Sequence, residues 1–432
     1  MERIAVIGAG IAGLSAAHRL TSAAGTRHVT LLEASSHFGG HANTVDVTLD
    51  GVTHGVDTGF LVYNERTYPG LIRLFDELQV PTVPSDMSFS VQARHDGLTW
   101  SGTSLATVFA QKRNLFKADF WRMLRDILRF NRLATTLAVQ DDHSAEGLST
   151  EAFLTQHGFS RAFQDWYLLP MIACIWSCPR ERMLAFPIAS LIRFCHNHGL
   201  LQITQRPQWY TVRGGSREYV RRLIRTLPDA RLDSPVLSVQ RLPSGVLIQT
   251  RHGSEHFDQV VFACHPDQTL RLLGEGASAE EREVLGAIRY QPNRAVLHTD
   301  ASLLPEQRAA WAAWNYETGG TDADQAVCLH YWINQLQPLP WKTPVVVSLN
   351  PLREPDPAQV IQTFAYDHPV FDEAAVSAQQ RVAALQGQRG TWFCGAWTGY
   401  GFHEDGLRSG ELVARTLLQR DDTDDAPWKE AA

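Results

Sequence analysis

The stretch from Met1 to Glu33 restricts this chain more than any other. Ile4-Ala5-Val6-Ile7 is a short apolar run of the kind that forms a buried parallel strand, and it breaks into Gly8-Ala9-Gly10-Ile11-Ala12-Gly13 before a helical pattern begins. Gly8 permits a tight turn, Gly10 leaves bare backbone for a pyrophosphate, and Gly13 lets the helix pack close to the strand. The helix start then offers free N–H groups and its positive dipole end to the phosphates. Leu14, Ala17 and Leu20 give the helix an inward face, and Val29-Thr30-Leu31-Leu32 makes a second strand that ends at Glu33. An acid at that distance accepts hydrogen bonds from ribose hydroxyls and repels a 2′-phosphate. These residues predict a Rossmann-type dinucleotide site that excludes NADP; they do not separate FAD from NAD.

With 432 residues the chain has room for two or three domains. Its formal charge of −7 provides no global basic field for nucleic acid. The first apolar run is consumed by the glycine turn, and no run is long enough to span a bilayer, so a cytoplasmic protein is expected. The six cysteines, Cys174, Cys178, Cys195, Cys264, Cys328 and Cys394, form no C-x-x-C pair and are expected as free, mostly buried thiols. Cys195, His196 and His198 lack a second ligand pair at metal spacing, and no metal is predicted.

Alternation from Thr44 to Val56 predicts a hairpin around Asp50-Gly51, and Phe89 to Trp100 a second around Asp96-Gly97. Residues 71–79 read as a helix. Between Phe109 and Arg132 seven basic residues, Lys112, Arg113, Lys117, Arg122, Arg125, Arg129 and Arg132, face two acids, Asp119 and Asp126, a local charge of +5. Phe116, Phe120, Leu124, Ile127 and Leu128 share one face of the expected helix. Either the stretch is a basic amphipathic helix that contacts a membrane surface, or its apolar face covers its own domain. Trp166, Tyr167, Trp176, Phe186 and Phe194 lie in short apolar helices and are read as core or as the walls of an apolar cavity. Asp141 to Ser144 reads as a surface loop, and His265, beside Pro266 at a strand end, as a turn residue.

Further motifs follow the opening one in order. Ala34-Ser35-Ser36-His37-Phe38-Gly39-Gly40-His41 runs on from Glu33, and Asp57-Thr58-Gly59-Phe60 makes a later turn. Val212-Arg213-Gly214-Gly215-Ser216 precedes a helix and the Val236 strand, and Cys394-Gly395 leads through Tyr400 into His403-Glu404-Asp405-Gly406-Leu407-Arg408-Ser409-Gly410. Together they resemble the superfamily of flavin-containing amine oxidases, protoporphyrinogen oxidases and phytoene desaturases. That resemblance selects FAD as the cofactor and implies an α/β fold: a Rossmann-type FAD-binding domain interleaved with an α+β substrate domain. The implied FAD-binding domain takes residues 1–72, 205–282 and 388–420, the substrate domain 73–204 and 283–387, and residues 421–432 form an acidic, disordered tail. The FAD contacts it implies are Gly8, Gly10, Ile11, Ala12, Gly13, Glu33, Ala34, Gly40, His41, Thr58, Gly59, Phe60, Val236, Gly395, Glu404, Asp405, Gly406 and Ser409. His41 stands where the superfamily usually has arginine, and small Gly59 would let backbone approach the isoalloxazine.

Asn64-Glu65-Arg66-Thr67-Tyr68-Pro69, Trp209-Tyr210, Gly214 to Arg217 and Gly401 to Gly406 resemble a narrower bacterial branch of NAD/FAD-binding proteins. Members of that branch occur alongside cyclopropane fatty acyl synthases, and some look like desaturases on the route to furan fatty acids. The resemblance implies dehydrogenation (desaturation) of an unsaturated acyl chain of a membrane phospholipid, by hydride transfer to flavin N5. The four lysines, Lys112, Lys117, Lys342 and Lys429, do not fall where amine oxidases place theirs. Candidate proton acceptors are His403, Glu404, Glu65 and His41, and Tyr63 and Tyr400 are candidate flavin-facing residues. An amine oxidase that releases peroxide and a flavin-bearing lipid-binding partner without catalysis remain the alternatives. The expected partners are a lipid acyl chain and a peripheral membrane contact through residues 109–132; oligomeric state is left open.

Overall fold

The computed structural model describes residues 1–23, 27–140, 145, 147–176, 180–202, 206–318 and 327–423. The loop from Asp141 to Ser144, Cys178 and residues 424–432 lie outside the described residues.

A five-stranded parallel sheet runs in the order Asp229–Arg231, Arg27–Leu32, Glu2–Ile7, Gln259–Phe262, Thr391–Phe393. Ile4 and Val6 of the central strand face the helices Ile11–Ser22 and His403–Thr423. Ala5 and Ile7 face a three-stranded antiparallel ribbon, Val236 to Phe257, and the helices Ala279–Gly286 and Glu373–Leu385. A strand covered on both faces reads as a continuous apolar run, which is why Ile4 to Ile7 shows no alternation.

The second sheet has seven strands in the order Val360–Pro369, Tyr290–His298, Val346–Leu349, Cys328–Trp332, Trp314–Thr318, Phe89–Ala93, Leu98–Ser101. All its pairings are antiparallel except Trp314–Thr318 with Phe89–Ala93. Helices Ala118–Val139, Thr150–Gln156, Arg161–Phe163, Leu169–Trp176 and Ile188–Asn197 gather Phe130, Phe153, Phe163, Ile172, Leu191 and Phe194 into a separate apolar cluster. Two sheets, each drawn from separated stretches of chain, make this a mixed α/β fold of interleaved units. Among the described residues no helix is long and apolar enough to cross a membrane.

Both expected hairpins form. Asp50 (φ +52°) and Gly51 (φ +77°) take the left-handed values that a two-residue turn needs, and Leu49 pairs with Val52. The basic stretch is not one helix. A short 3-10 turn, Lys112–Phe116, is separated from Ala118–Val139 by Lys117 in extended geometry (φ −90°, ψ 112°). The break has a cause: the buried Asn114 amide donates to the Thr99 carbonyl at 2.9 Å and pulls the turn onto the neighbouring hairpin. At the other end, the closing helix continues to Thr423, past the expected start of a disordered tail, because Leu417 anchors its last turns in the core.

Candidate active site

The central strand ends at Ile7 and the chain turns through Gly8 at φ +102°, where a Cβ would lie 2.9 Å from the Ala263 carbonyl oxygen. A Cβ on Gly13 would meet the Gly8 carbonyl oxygen at 1.9 Å, whereas one on Gly10 would meet nothing within 4 Å. The helix Ile11–Ser22 starts with no side-chain cap, so its first N–H groups and dipole face that open space. The Glu33 carboxylate is held beside it, accepting from the Ala9 N–H at 2.8 Å and the Ser35 N–H at 2.9 Å.

From this turn a cavity of about 690 Å³ extends between the two sheets. At the glycine turn its walls are Gly8 to Ala12, Leu32 to Ser35, Ser234, Val236 and Ala263 to His265. Gly40, His41, Phe60, His368, Gly395 and His403 carry the wall onward to an apolar chamber. That chamber is built by Met87, Cys174, Ile175, Trp176, Phe194, Leu200, Trp209, Trp314, Tyr331 and Phe402. Its aromatic rings interlock: Phe194 lies 4.7 Å from Trp176 and 5.1 Å from Phe402, and the Trp176 indole donates to the Tyr400 carbonyl at 3.2 Å.

Five histidines line the cavity: His41, His198, His265, His368 and His403. Burial, which penalises the imidazolium, pushes each below its usual range: His198 and His368 to about 4, His403 to about 3, His41 well down, and His265 down despite Asp267 and Asp367. Burial thus favours the neutral ring at all five positions. His41 Nε2, Trp314 Nε1 and Trp397 Nε1 are buried in the same walls without a hydrogen-bond partner. Buried polar atoms are ordinarily paired, so these are polar positions of the wall that the protein itself leaves unsatisfied.

Gly8, Gly10, Ile11, Ala12, Glu33, Ala34, Gly40, His41, Gly59, Phe60, Val236, Gly395, Tyr400 and His403 therefore meet at one cavity. Others expected there do not line it. Glu404 turns away: its two oxygens accept from the Gly70 and Leu71 N–H groups at 2.8 and 2.9 Å and cap the helix Pro69–Glu77. Asp405 accepts from the Tyr400 and Phe402 N–H groups, and the Ser409 hydroxyl from the Gly395 N–H. Thr58 pairs with the Tyr366 hydroxyl at 2.7 Å, Glu65 is exposed, and Tyr63 stacks on Tyr210. Gly13 and Gly406 act by packing, since a Cβ on Gly406 would press on Ile11 Cγ2 at 2.7 Å. Gly59 does line the cavity, yet it is the His41 carbonyl, 2.3 Å from a Cβ built there, that demands glycine.

A model of the flavin containing amine oxidoreductases matches residues 11–303. The chain belongs to this family. Its cofactor is FAD, and the uncapped helix behind the bare backbone of Gly10 and the Glu33 carboxylate beside it are features that suit FAD. Solved structures of flavin oxidoreductase fold resemble it over nearly their whole length. The CLA-producing fatty acid isomerase from P. acnes is 17% identical with a TM-score of 0.67, covering 96% of this chain and 98% of that one. Wild-type putrescine oxidase bound to putrescine is 15% identical (TM-score 0.64; 97% and 99% covered). Cyclohexylamine oxidase from Brevibacterium oxydans IH-35A is 16% identical (TM-score 0.63; 98% and 99% covered). At such identities the likeness is one of fold. Among curated proteins none matches the sequence.

Two cavity residues of this flavoprotein carried little signal in sequence. His368 lies on the edge strand Val360–Pro369, whose mixed exposure shows no clean alternation. His198 follows Phe194 by one helical turn, and that spacing was the available clue: its Nδ1–H donates to the Phe194 carbonyl at 3.0 Å and its ring stacks on Phe194 at 3.9 Å. Cys195 points instead into the apolar cluster.

Proposed function

We propose that this FAD-dependent oxidoreductase dehydrogenates an unsaturated acyl chain of a membrane phospholipid. The observation that carries the reading is the chamber beyond His41: among the described residues its walls are aromatic, aliphatic and sulfur-bearing, with no fixed charge. Among the described residues Glu33 and Asp367 are the carboxylates of the cavity lining; Glu33 flanks the glycine turn, and Asp367 acts on His265 and Tyr290, next to the Ala263 end. A cationic amine would enter a chamber without a counter-charge, whereas an acyl chain matches its walls. The fatty acid isomerase shares this fold, which supports the same reading; the two amine oxidases share it as well.

FAD, when bound, supplies a two-electron acceptor that takes up a hydride at N5. The chain's own residues bind the acyl chain, keep water out and take the accompanying proton, leaving one new carbon–carbon double bond. His198 suits the last task. A carbonyl can only accept, so Nδ1 carries the ring's proton, and Nε2 of the neutral ring keeps its lone pair. His403 is more constrained, with Nε2 paired to the Tyr219 hydroxyl at 2.6 Å and its ring stacked on Phe60 at 3.8 Å.

The test is an anaerobic visible spectrum of the FAD-loaded protein mixed with phospholipids. Lipids with monounsaturated chains should bleach the oxidised-flavin band, saturated lipids and amines should not, and His198→Gln should slow the bleaching by about 100-fold with flavin content unchanged. Bleaching by an amine alone would make the protein an amine oxidase. A flavin that neither lipids nor amines reduce would favour a lipid-binding partner without catalysis.

A further inference from the structure

We propose that residues 105–139 form a docking surface for an anionic lipid bilayer, through an outward side that keeps Phe116 and Leu128 of the apolar face visible in the sequence and adds Leu105, Leu115, Trp121 and Val139. Phe120, Met123 and Phe130 of the helix Ala118–Val139 are buried in the protein's own core, and Leu124 and Ile127 are half-buried beside them, so the helix covers its own domain on that side. The outward side is nevertheless not polar. Phe116 is 90% exposed, Leu105 81% and Trp121 50%, and Leu115, Leu128 and Val139 are exposed as well. Six of the twelve exposed large apolar side chains among the described residues fall in this segment.

The groups are contiguous. The Trp121 indole donates to the Leu115 carbonyl at 2.9 Å and lies 5.4 Å from Phe109, which folds the start of the helix onto the turn carrying Phe116. At 3.6 residues per turn, Trp121, Arg125, Leu128, Arg132 and Val139 fall within about 60° of one another and make one outward stripe. Lys112, Arg113 and Arg122 flank it, exposed. Of the two acids in the segment, Asp126 is buried, where it accepts from the Ser160 N–H at 3.0 Å, and Asp119 is paired with Arg122 at 2.5 Å.

Protruding aromatic and aliphatic tips interleaved with arginines suit the headgroup region, where cations meet lipid phosphate and the tips enter the acyl boundary. Protein interfaces exclude charge from their centres, and a second copy of this surface would oppose cation to cation. Because no described helix can span a membrane, the surface would lie on the bilayer rather than cross it. This inference does not depend on what the cavity oxidises.

The experiment is co-sedimentation of the full FAD-loaded protein with vesicles of saturated phospholipids, either pure phosphatidylcholine or mixed with phosphatidylglycerol. The protein should pellet with the anionic vesicles at low salt and be released at high salt. Phe116→Ser combined with Trp121→Ser should reduce the pelleted fraction at least fivefold with the flavin spectrum unchanged; Leu237→Ser, at an exposed site elsewhere, should leave it intact. Equal recovery from neutral and anionic vesicles, recovery from neither, or a concentration-dependent dimer abolished by the same double substitution would each overturn the proposal. Saturated lipids separate the two readings: binding without oxidation of any lipid keeps the docking surface and removes the acyl-chain reaction.

Discussion

His330 is buried in the seven-stranded sheet with polar partners at both ring nitrogens. Its Nε2 is 3.0 Å from Glu317 Oε2 and 3.4 Å from Cys328 Sγ, while Nδ1 is 2.6 Å from the Ser348 hydroxyl, which also contacts His298 Nε2 at 2.7 Å. Arg94 holds the other oxygen of Glu317. Burial disfavours the imidazolium, but Cys328 and the Glu317 carboxylate outweigh it and raise the group from 6.5 to about 9. A folded-state value above the unfolded one stabilises below pH 6.5, and that contribution is lost as pH rises towards 9. Unfolding temperatures should therefore fall across this window, and His330→Asn should flatten the dependence while lowering stability at pH 7. Strand alternation alone places Cys328 and His330 on one face; Glu317 joins them from the neighbouring strand, a pairing that local pattern does not reveal.

Glu404 shows how one element can be completed by another. Helix Pro69–Glu77 has no side-chain cap of its own, and its buried first-turn N–H groups at Gly70 and Leu71 are satisfied by a carboxylate from the closing helix, more than 330 residues away. Glu404→Ala should cost about 2 kcal/mol in urea unfolding, and the pH profile of flavin reduction should stay unchanged, because the carboxylate holds no substrate proton. The residue type and its place in the closing motif were legible in the sequence, but its direction was not. The hairpins at Asp50-Gly51 and Asp96-Gly97 were legible because turn chemistry is local. The strand Val360–Pro369, which carries His368, went unread because Ile361, Gln362 and Thr363 are exposed in succession at the sheet edge and break the apolar alternation that marks a half-buried strand.

At the scale of the molecule, Asp57 ties the parts together. Buried completely, its carboxylate accepts from the Thr44 hydroxyl at 2.5 Å, from the Ser216 N–H and hydroxyl at 2.9 and 2.8 Å, and from the Gln337 amide at 2.6 Å. These partners come from the first hairpin, the turn before the helix Arg217–Ile224, and the segment after the Ile333–Leu336 helix. Asp57→Ala should cost about 3 kcal/mol, because charged hydrogen bonds are lost together and buried donors are left unpaired; denaturant unfolding would measure it, and a smaller loss would mean that the parts hold without this junction. The nucleotide end of the cavity was determined by sequence alone. Its chemistry resides in consecutive residues, a strand, a glycine turn and a helix start with an acid at fixed distance, and short-range backbone geometry dictates how such a run folds. The chamber was decided by tertiary structure. The sequence left Phe194 open as core or cavity wall, weighed His198 only as a metal ligand and Cys174 only as a buried thiol, and gave Met87, Trp314 and Tyr331 no role; only the packing of the seven-stranded sheet against the helical cluster turns them, with Phe402, towards one space.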